Sequence, residues 1–426
     1  MEKLMQYVWE HRLGLRQDMQ TVDGRRVRII DQGLLNHDAG PDFFNATVEI
    51  DGQIWVGNIE IHVRASDWFR HHHDTDPAYD SIILHVVQID DMPIHRRSGA
   101  VIPQMIMHCT AEAARRCNLL VSSADSALPC RLTNNELHPI YHSDWITALG
   151  AERLQTKSER ILSIVKESAG FWDSAAYITL ARGLGFGLNS EPFELLAKSL
   201  SLRFLEKHRH ELVTVEALVF GQAGLIPMPC DKEDEYITRL REEYAFMARK
   251  YSLKPIPPIW KMARTRPQNF PHRRLAILAF ILHQGCHLMR QIVDAKTYDE
   301  MKKIFDLQMY GFWATHFTFD PCVGARPQAL SKASVDTLII NVCIPLRQAY
   351  ATYRGETDNI EDNIEILRQI PPENNSIIRL FSSTKIPCKD AFTSQALIQL
   401  RREYCEKRKC IYCRFGSKML SAEIQK

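Results

Sequence analysis

Phe43–Ile50 (FFNATVEI) and Gln53–Arg64 (QIWVGNIEIHVR) read as two strands joined by Asp51-Gly52. Asp-Gly tolerates the positive φ angles that the central residues of a tight hairpin require. Side chains two apart on a strand share a face. The return strand therefore sets Trp55, Gly57, Ile59, Ile61 and Val63 on one side, with Asn58, Glu60 and His62 on the other. A chain built on such a pair contains an antiparallel sheet with an apolar face. An all-helical or disordered protein is excluded.

The flanking segments extend this unit. Residues 2–12 have helical spacing, and Val27 to Asp31 is a short β-rich run. The loop LLNHDAGP leads into Phe43. Ser66-Asp67 can cap a short helix, WFRHHHD. Ser81 to Ile89 is nearly all apolar, as expected of a strand covered on both faces. The order is helix, three strands, helix, strand, with Leu128 to Pro139 as a loop. From Ser143 onward, apolar residues recur with helical spacing through 143–168, 171–184, 190–207, 209–221, 232–250, 271–293 and 297–308. Helices continue at 332–353, 358–369, 373–382 and 391–408. At 426 residues the chain exceeds one ordinary core. The expected class is α+β, a mixed sheet with flanking helices followed by a larger all-α domain. The expected boundaries are 1–135, 143–385 and a C-terminal segment, 386–426.

Charge is nearly balanced, 53 Lys plus Arg against 51 Asp plus Glu, so any polyanion partner depends on local rather than net charge. No run reaches the roughly 20 apolar residues of a membrane-spanning helix, and the N-terminus has no apolar signal-peptide core. The expectation is a cytoplasmic protein without a membrane partner. Oligomeric state is not legible.

The chemistry concentrates in Asn36 to Val63. Asp42, after Gly40-Pro41, and Glu60 come from neighbouring strands and can converge on one ion. Carboxylates suit Mg²⁺ or Mn²⁺, and the backbone carbonyl of Ile61 is a third candidate ligand. Such an ion stabilises phosphoryl oxygens and activates water. His62 can then accept or orient a proton.

Pro41-Asp42 and Glu60-Ile61-His62, in this element order, resemble the PD-(D/E)XK nuclease superfamily over roughly residues 1–90. There, Pro-Asp opens the second strand and Glu-x-Lys lies on the third. The departure is His62, where the superfamily most often has lysine. The resemblance implies a nuclease-like fold and phosphodiester hydrolysis of DNA or RNA. Over nearly its full length the chain also resembles an uncharacterised bacterial family, domain of unknown function 2851. That resemblance rests on LNHDAGPDFFNATVEI, WVGNIEIHVRASDWFRHHHDTDPAYDSIILHVV, VEALVFGQAGLI, RTRPQNFPHRRLAILA and YCEKRKCIYC. Two readings stay open: a metal-dependent nuclease on Asp42, Glu60 and His62, or an inactive nuclease-type module that binds nucleic acid or protein.

Other groups carry weaker signals. His71-His72-His73 can bind a transition metal, or can be a polar helix end. His85, inside an apolar strand, reads as a hydrogen-bonded core histidine. Glu2 and Glu10 read as a solvated helix face. Cys405, Cys410 and Cys413 form a C-x4-C-x2-C cluster, with Cys388 the nearest fourth ligand in sequence. They suit Zn²⁺ or an iron–sulfur cluster, and some PD-(D/E)XK nucleases hold such a cluster on four cysteines. Arg264, Arg266, Arg273 and Arg274 form the most basic run of the helical part. They can contact a nucleic-acid backbone, or pair with carboxylates.

Overall fold

The computed structural model describes residues 1–10, 19–36, 39–109, 115, 128, 139–230, 234–263, 265–285, 287–320, 329–356, 359–384 and 386–417. Most of the 128–139 loop and Arg264 lie outside them. The chain forms two compact units. The first comprises Met1–Ile146, Arg379–Ile386 and Ile398–Lys426, and the second Thr147–Ile378 and Pro387–Leu397. The class is α+β, a seven-stranded mixed sheet in the N-terminal region and a larger helical part.

In the first unit, helix α1 (Glu2–Glu10) precedes β1 (Met19–Gln20), β2 (Arg26–Asp31), β3 (Leu34–Leu35), β4 (Phe43–Ile50) and β5 (Gln53–Arg64). Helix α2 (Asp67–Arg70), β6 (Ile82–Ile89) and β7 (Gln104–Ile106) follow. The sheet order is β1-β2-β4-β5-β6-β7, with β3 paired to β4. The β1–β2, β2–β4, β3–β4 and β4–β5 pairs are antiparallel, whereas β5–β6 and β6–β7 are parallel.

The hairpin ends where the sequence places it. Ile50 pairs with Gln53 across Asp51 (φ 49°) and Gly52 (φ 79°). Both signs suit a two-residue turn whose twist matches the flanking strands. Gly57 is required for packing: a Cβ there would lie 2.4 Å from Ile83 Cγ2 and 2.6 Å from the Ser81 carbonyl oxygen.

The two sheet faces carry different cores. Ile59, Ile61, Leu84 and Val86 join Leu4, Met5, Val8 and Trp9 of α1. Cys410 and Ile411 from the C-terminal segment enter the same core. The opposite core gathers Trp68, Tyr79, Ile82, Val87, Ile94 and Ile102. Helix α2 is shorter than the sequence suggests, because the chain turns after Arg70. The Ser66 hydroxyl does not cap it but donates to Asp91 Oδ2 at 2.7 Å. Asp67 anchors the turn instead, accepting from the Arg64 N–H at 3.1 Å and pairing with Arg70 at 3.0 Å.

The second unit is helical, with Trp172–Leu184, Leu212–Gln222 and Pro271–Gln284 among its core elements. Two expected helices are each divided. The run from 190 splits into Ser190–Ser199 and Leu202–His208, and that from 271 into Pro271–Gln284 and Leu288–Asp294. At the second break Gly285 has φ 118°, outside the range of a helix. Among the described residues no single helix is long and apolar enough to cross a membrane.

Candidate metal and catalytic centre

Asp42 stands immediately before β4 and Glu60 in β5, and the two are interlocked. The Asp42 N–H donates to Glu60 Oε2 at 3.0 Å, while the Ile61 N–H donates to Asp42 Oδ2 at 3.0 Å. Ile61 thus enters the site through its N–H. Gln6 Nε2 of α1 donates to Asp42 Oδ1 at 2.8 Å. Gln6 carried no sequence signal, since its role depends on how α1 crosses the sheet. Glu2 lies one turn earlier on that helix, and its charge acts on Asp42, Glu60 and His73. Glu2 is half-buried rather than on a fully solvated helix face.

The remaining Glu60 oxygen faces histidines. Glu60 Oε1 lies 3.5 Å from His62 Nε2 and 3.3 Å from His73 Nε2. His62 Nε2 is 3.1 Å from His71 Nδ1, and His62 Nδ1 is 2.8 Å from His85 Nε2. Glu60 is 4% exposed, His62 1% and His85 0%, whereas His71 is exposed at the rim. Among the described residues, His62, His71 and His73 form the group of three whose ligand atoms all lie within 4.8 Å of one another.

Local backbone explains how His71 and His73 converge. His72 has φ 61°, in the left-handed region. Few non-glycine residues adopt it, although histidine is enriched among those that do. His72 is exposed. His73 stacks on Tyr79 with ring centroids 3.7 Å apart. Trp68 meets the rings of His73, Tyr79 and His85 edge-on, so the imidazoles sit against an aromatic wall.

Burial sets the electrostatics. It pushes the Asp42 carboxyl up to about 7, with the Glu60 charge adding and the Gln6 and Ile61 hydrogen bonds opposing. It pushes Glu60 up to about 8 against the Asp42 N–H. His62 and His85 are driven far down, first by burial and then by neighbouring imidazoles, so both rings are neutral. Burial also lowers His73, against the pull of nearby carboxylates. Two acids that resist ionising beside neutral imidazoles form an environment a cation would stabilise.

Cys405, Cys410 and Cys413 are buried in the first unit, and Cys388 belongs to the second. Burial raises the Cys413 thiol, and pushes Cys388 up to about 11 with help from Asp390 and Glu373. Arg266 precedes a short turn, Pro267–Asn269. Arg273 and Arg274 follow in the first turns of Pro271–Gln284 and are 1% and 3% exposed. The Arg273 guanidinium donates to the Trp313 and His316 carbonyls. That of Arg274 donates to Asn269 and Ser334 and lies 4.2 Å from the Phe186 ring centroid.

Neither a comparison with curated proteins nor one with solved structures found a match. A family profile described as a protein of unknown function, DUF2851, matches residues 2–376. The hairpin, the histidine cluster and most of the helical part fall within that span, and the chain belongs to this family.

Proposed function

We propose that the first unit is a metal-dependent phosphodiesterase of the PD-(D/E)XK type, acting on DNA or RNA, with Asp42, Glu60 and His62 at its centre. One observation carries this reading: Asp42, immediately before β4, donates its N–H to Glu60 Oε2 of the adjacent antiparallel β5 at 3.0 Å, beside the imidazoles of His62, His71 and His73. The element order supports it, as does the parallel pairing of β6 with β5 after the intervening helix. The donor set fits a divalent ion, because Glu60 Oε1 stands 3.3–3.5 Å from two imidazole nitrogens. When bound, such an ion supplies Lewis acidity toward a phosphoryl oxygen and a water of lowered pKa. Asp42 and Glu60 would hold it through their carboxylate oxygens. The backbone N–H groups and Gln6 fix the direction of both carboxylates before substrate arrives, so little reorganisation is left for the reaction.

A non-catalytic reading has its own support. His62 stands where a substrate-binding lysine would be expected, and as a neutral ring it offers phosphate no positive charge. On that reading the unit binds nucleic acid or protein without cleaving.

The test is cleavage of end-labelled single- and double-stranded DNA and RNA by the purified chain with Mg²⁺, Mn²⁺ or Zn²⁺. Cleavage that disappears in Asp42→Ala supports the enzyme. Cleavage that persists in Asp42→Ala, or none with any metal and substrate, removes it. Salt-sensitive binding without cleavage leaves the binding module.

A further inference from the structure

We infer that His62, His71, His73 and Glu60 form a nitrogen-rich site for a zinc-class transition metal, and that His85 is its positioning residue. The inference deepens the proposed hydrolase centre and takes its catalytic meaning from that reading, although ion binding stands without it.

The spacing of the ligand atoms carries the argument. In a tetrahedron the edge is about 1.6 times the bond length, so metal–nitrogen bonds near 2.0–2.1 Å place ligand atoms about 3.3–3.4 Å apart. His62 Nε2 lies 3.1 Å from His71 Nδ1, Glu60 Oε1 lies 3.5 Å from His62 Nε2, and His73 Nε2 lies 3.3 Å from Glu60 Oε1. Three edges thus bracket the tetrahedral value, and all three imidazole ligand atoms fall within 4.8 Å of one another. Three imidazoles and one carboxylate favour zinc, cobalt, nickel or copper over magnesium, which prefers oxygen ligands.

Ring orientation is consistent with this. For His62 Nε2 to offer its lone pair, its proton must sit on Nδ1. From there it donates to His85 Nε2 at 2.8 Å. His85 then carries its own proton on Nδ1, a buried atom with no hydrogen-bond partner. A ligating histidine that donates its second nitrogen to a buried acceptor has its tautomer and its orientation fixed. His71, exposed at the rim, marks the side from which ion and substrate enter. On the proposed nuclease-type reading, His62 at the lysine position serves as a ligand, a role its neutral ring suits.

The experiment uses the full chain, stripped of metal and titrated with Co²⁺ or Zn²⁺. A tetrahedral, nitrogen-rich Co²⁺ site gives intense visible d–d bands, whereas an octahedral carboxylate site gives weak ones. Thiolate binding at the C-terminal cysteines would add near-ultraviolet charge-transfer bands and is thereby separated. The expected result is one tetrahedral equivalent that Mg²⁺ does not displace. Affinity falls at least tenfold in His71→Ala and in His73→Gln, and is kept in His72→Gly, which retains the left-handed turn. His71 is exposed, so its variant tests the site without disturbing the core. Unchanged Co²⁺ spectra and affinity in both His71→Ala and His73→Gln would overturn the inference. So would an ion lost in Asp42→Asn but retained in those two variants, an outcome that leaves the carboxylate hydrolase standing. A tetrahedral ion without nucleic-acid cleavage supports this site and removes the hydrolase.

Discussion

His85 Nε2 lies 2.8 Å from His62 Nδ1, a contact made by two fully buried imidazoles on adjacent parallel strands. Parallel pairing puts His85 opposite Glu60, so β5 supplies two of the ligands, Glu60 and His62, and β6 orients one of them. His85→Ala removes the acceptor for His62 Nδ1–H. Loss of such an outer partner typically costs 10–100-fold in metal affinity. A competition titration against a chromophoric chelator should show Zn²⁺ affinity reduced by roughly that factor, with one equivalent still bound at saturation.

The left-handed turn at His72 is a second point of leverage. His72→Gly removes the steric cost of φ 61° and should leave both metal binding and folding intact. His72→Val places a β-branched side chain in the same conformation. It should lower stability by about 1–2 kcal/mol and weaken metal binding, because His71 and His73 lose their common direction. Thermal melts of the two metal-free variants, with Co²⁺ titrations, check both statements.

Gly57 tests the sheet that supports the site. A Cβ there would meet Ile83 and the Ser81 carbonyl at 2.4 and 2.6 Å, and backbone cannot give way as a flexible side chain can. Gly57→Ala should destabilise the first unit by roughly 1–3 kcal/mol, measured by denaturant unfolding.

In the helical unit, Glu216 is 2% exposed and burial pushes its carboxyl from 4.5 up to about 8, opposed by a hydrogen bond from the Tyr236 hydroxyl. Its folded-state pKa is raised, so its contribution is present below the unfolded value. That contribution is lost as pH rises through the folded value. Between about pH 4.5 and 8 the folded chain holds a proton there that the unfolded chain has released. Glu216→Gln removes this dependence. The variant should melt close to the parent at pH 5 and above it at pH 8, by on the order of a few kcal/mol in stability. Paired melts across that range provide the check.

Local signals account for what the sequence made legible. Strands Phe43–Ile50 and Gln53–Arg64 end where alternation stops and Asp51-Gly52 intervenes, because both signals lie within a few residues. Asp42 and Glu60 were legible as a pair for the same reason, being one hairpin apart. His71 and His73 were legible as a transition-metal candidate or a polar helix end, but not as partners of Glu60 and His62. Their convergence depends on the φ of His72 and on a wall of Trp68 and Tyr79, neither of which has a periodic signature. His85 was recognised as a hydrogen-bonded core residue, but its partner comes through parallel pairing, a non-local event. Arg273 and Arg274 read as part of a basic run that meets a nucleic-acid backbone or carboxylates, whereas their helix turns them inward onto carbonyls and an aromatic ring. Apolar spacing ran unbroken across Ser199–Leu202 and Gln284–Leu288, so helical periodicity alone did not reveal those breaks.

Glu60 belongs to both the carboxylate pair and the imidazole cluster, and its substitution tests the account most directly. Calorimetric titration of Zn²⁺ and Mn²⁺ into the parent chain and Glu60→Gln, with nucleic-acid cleavage measured on the same samples, is the decisive comparison. The parent should bind one ion at this centre and cleave. Glu60→Gln should bind at least tenfold more weakly and cleave nothing, with an unchanged circular dichroism spectrum. Equal ion binding and equal cleavage by the two proteins would contradict the assignment of this centre.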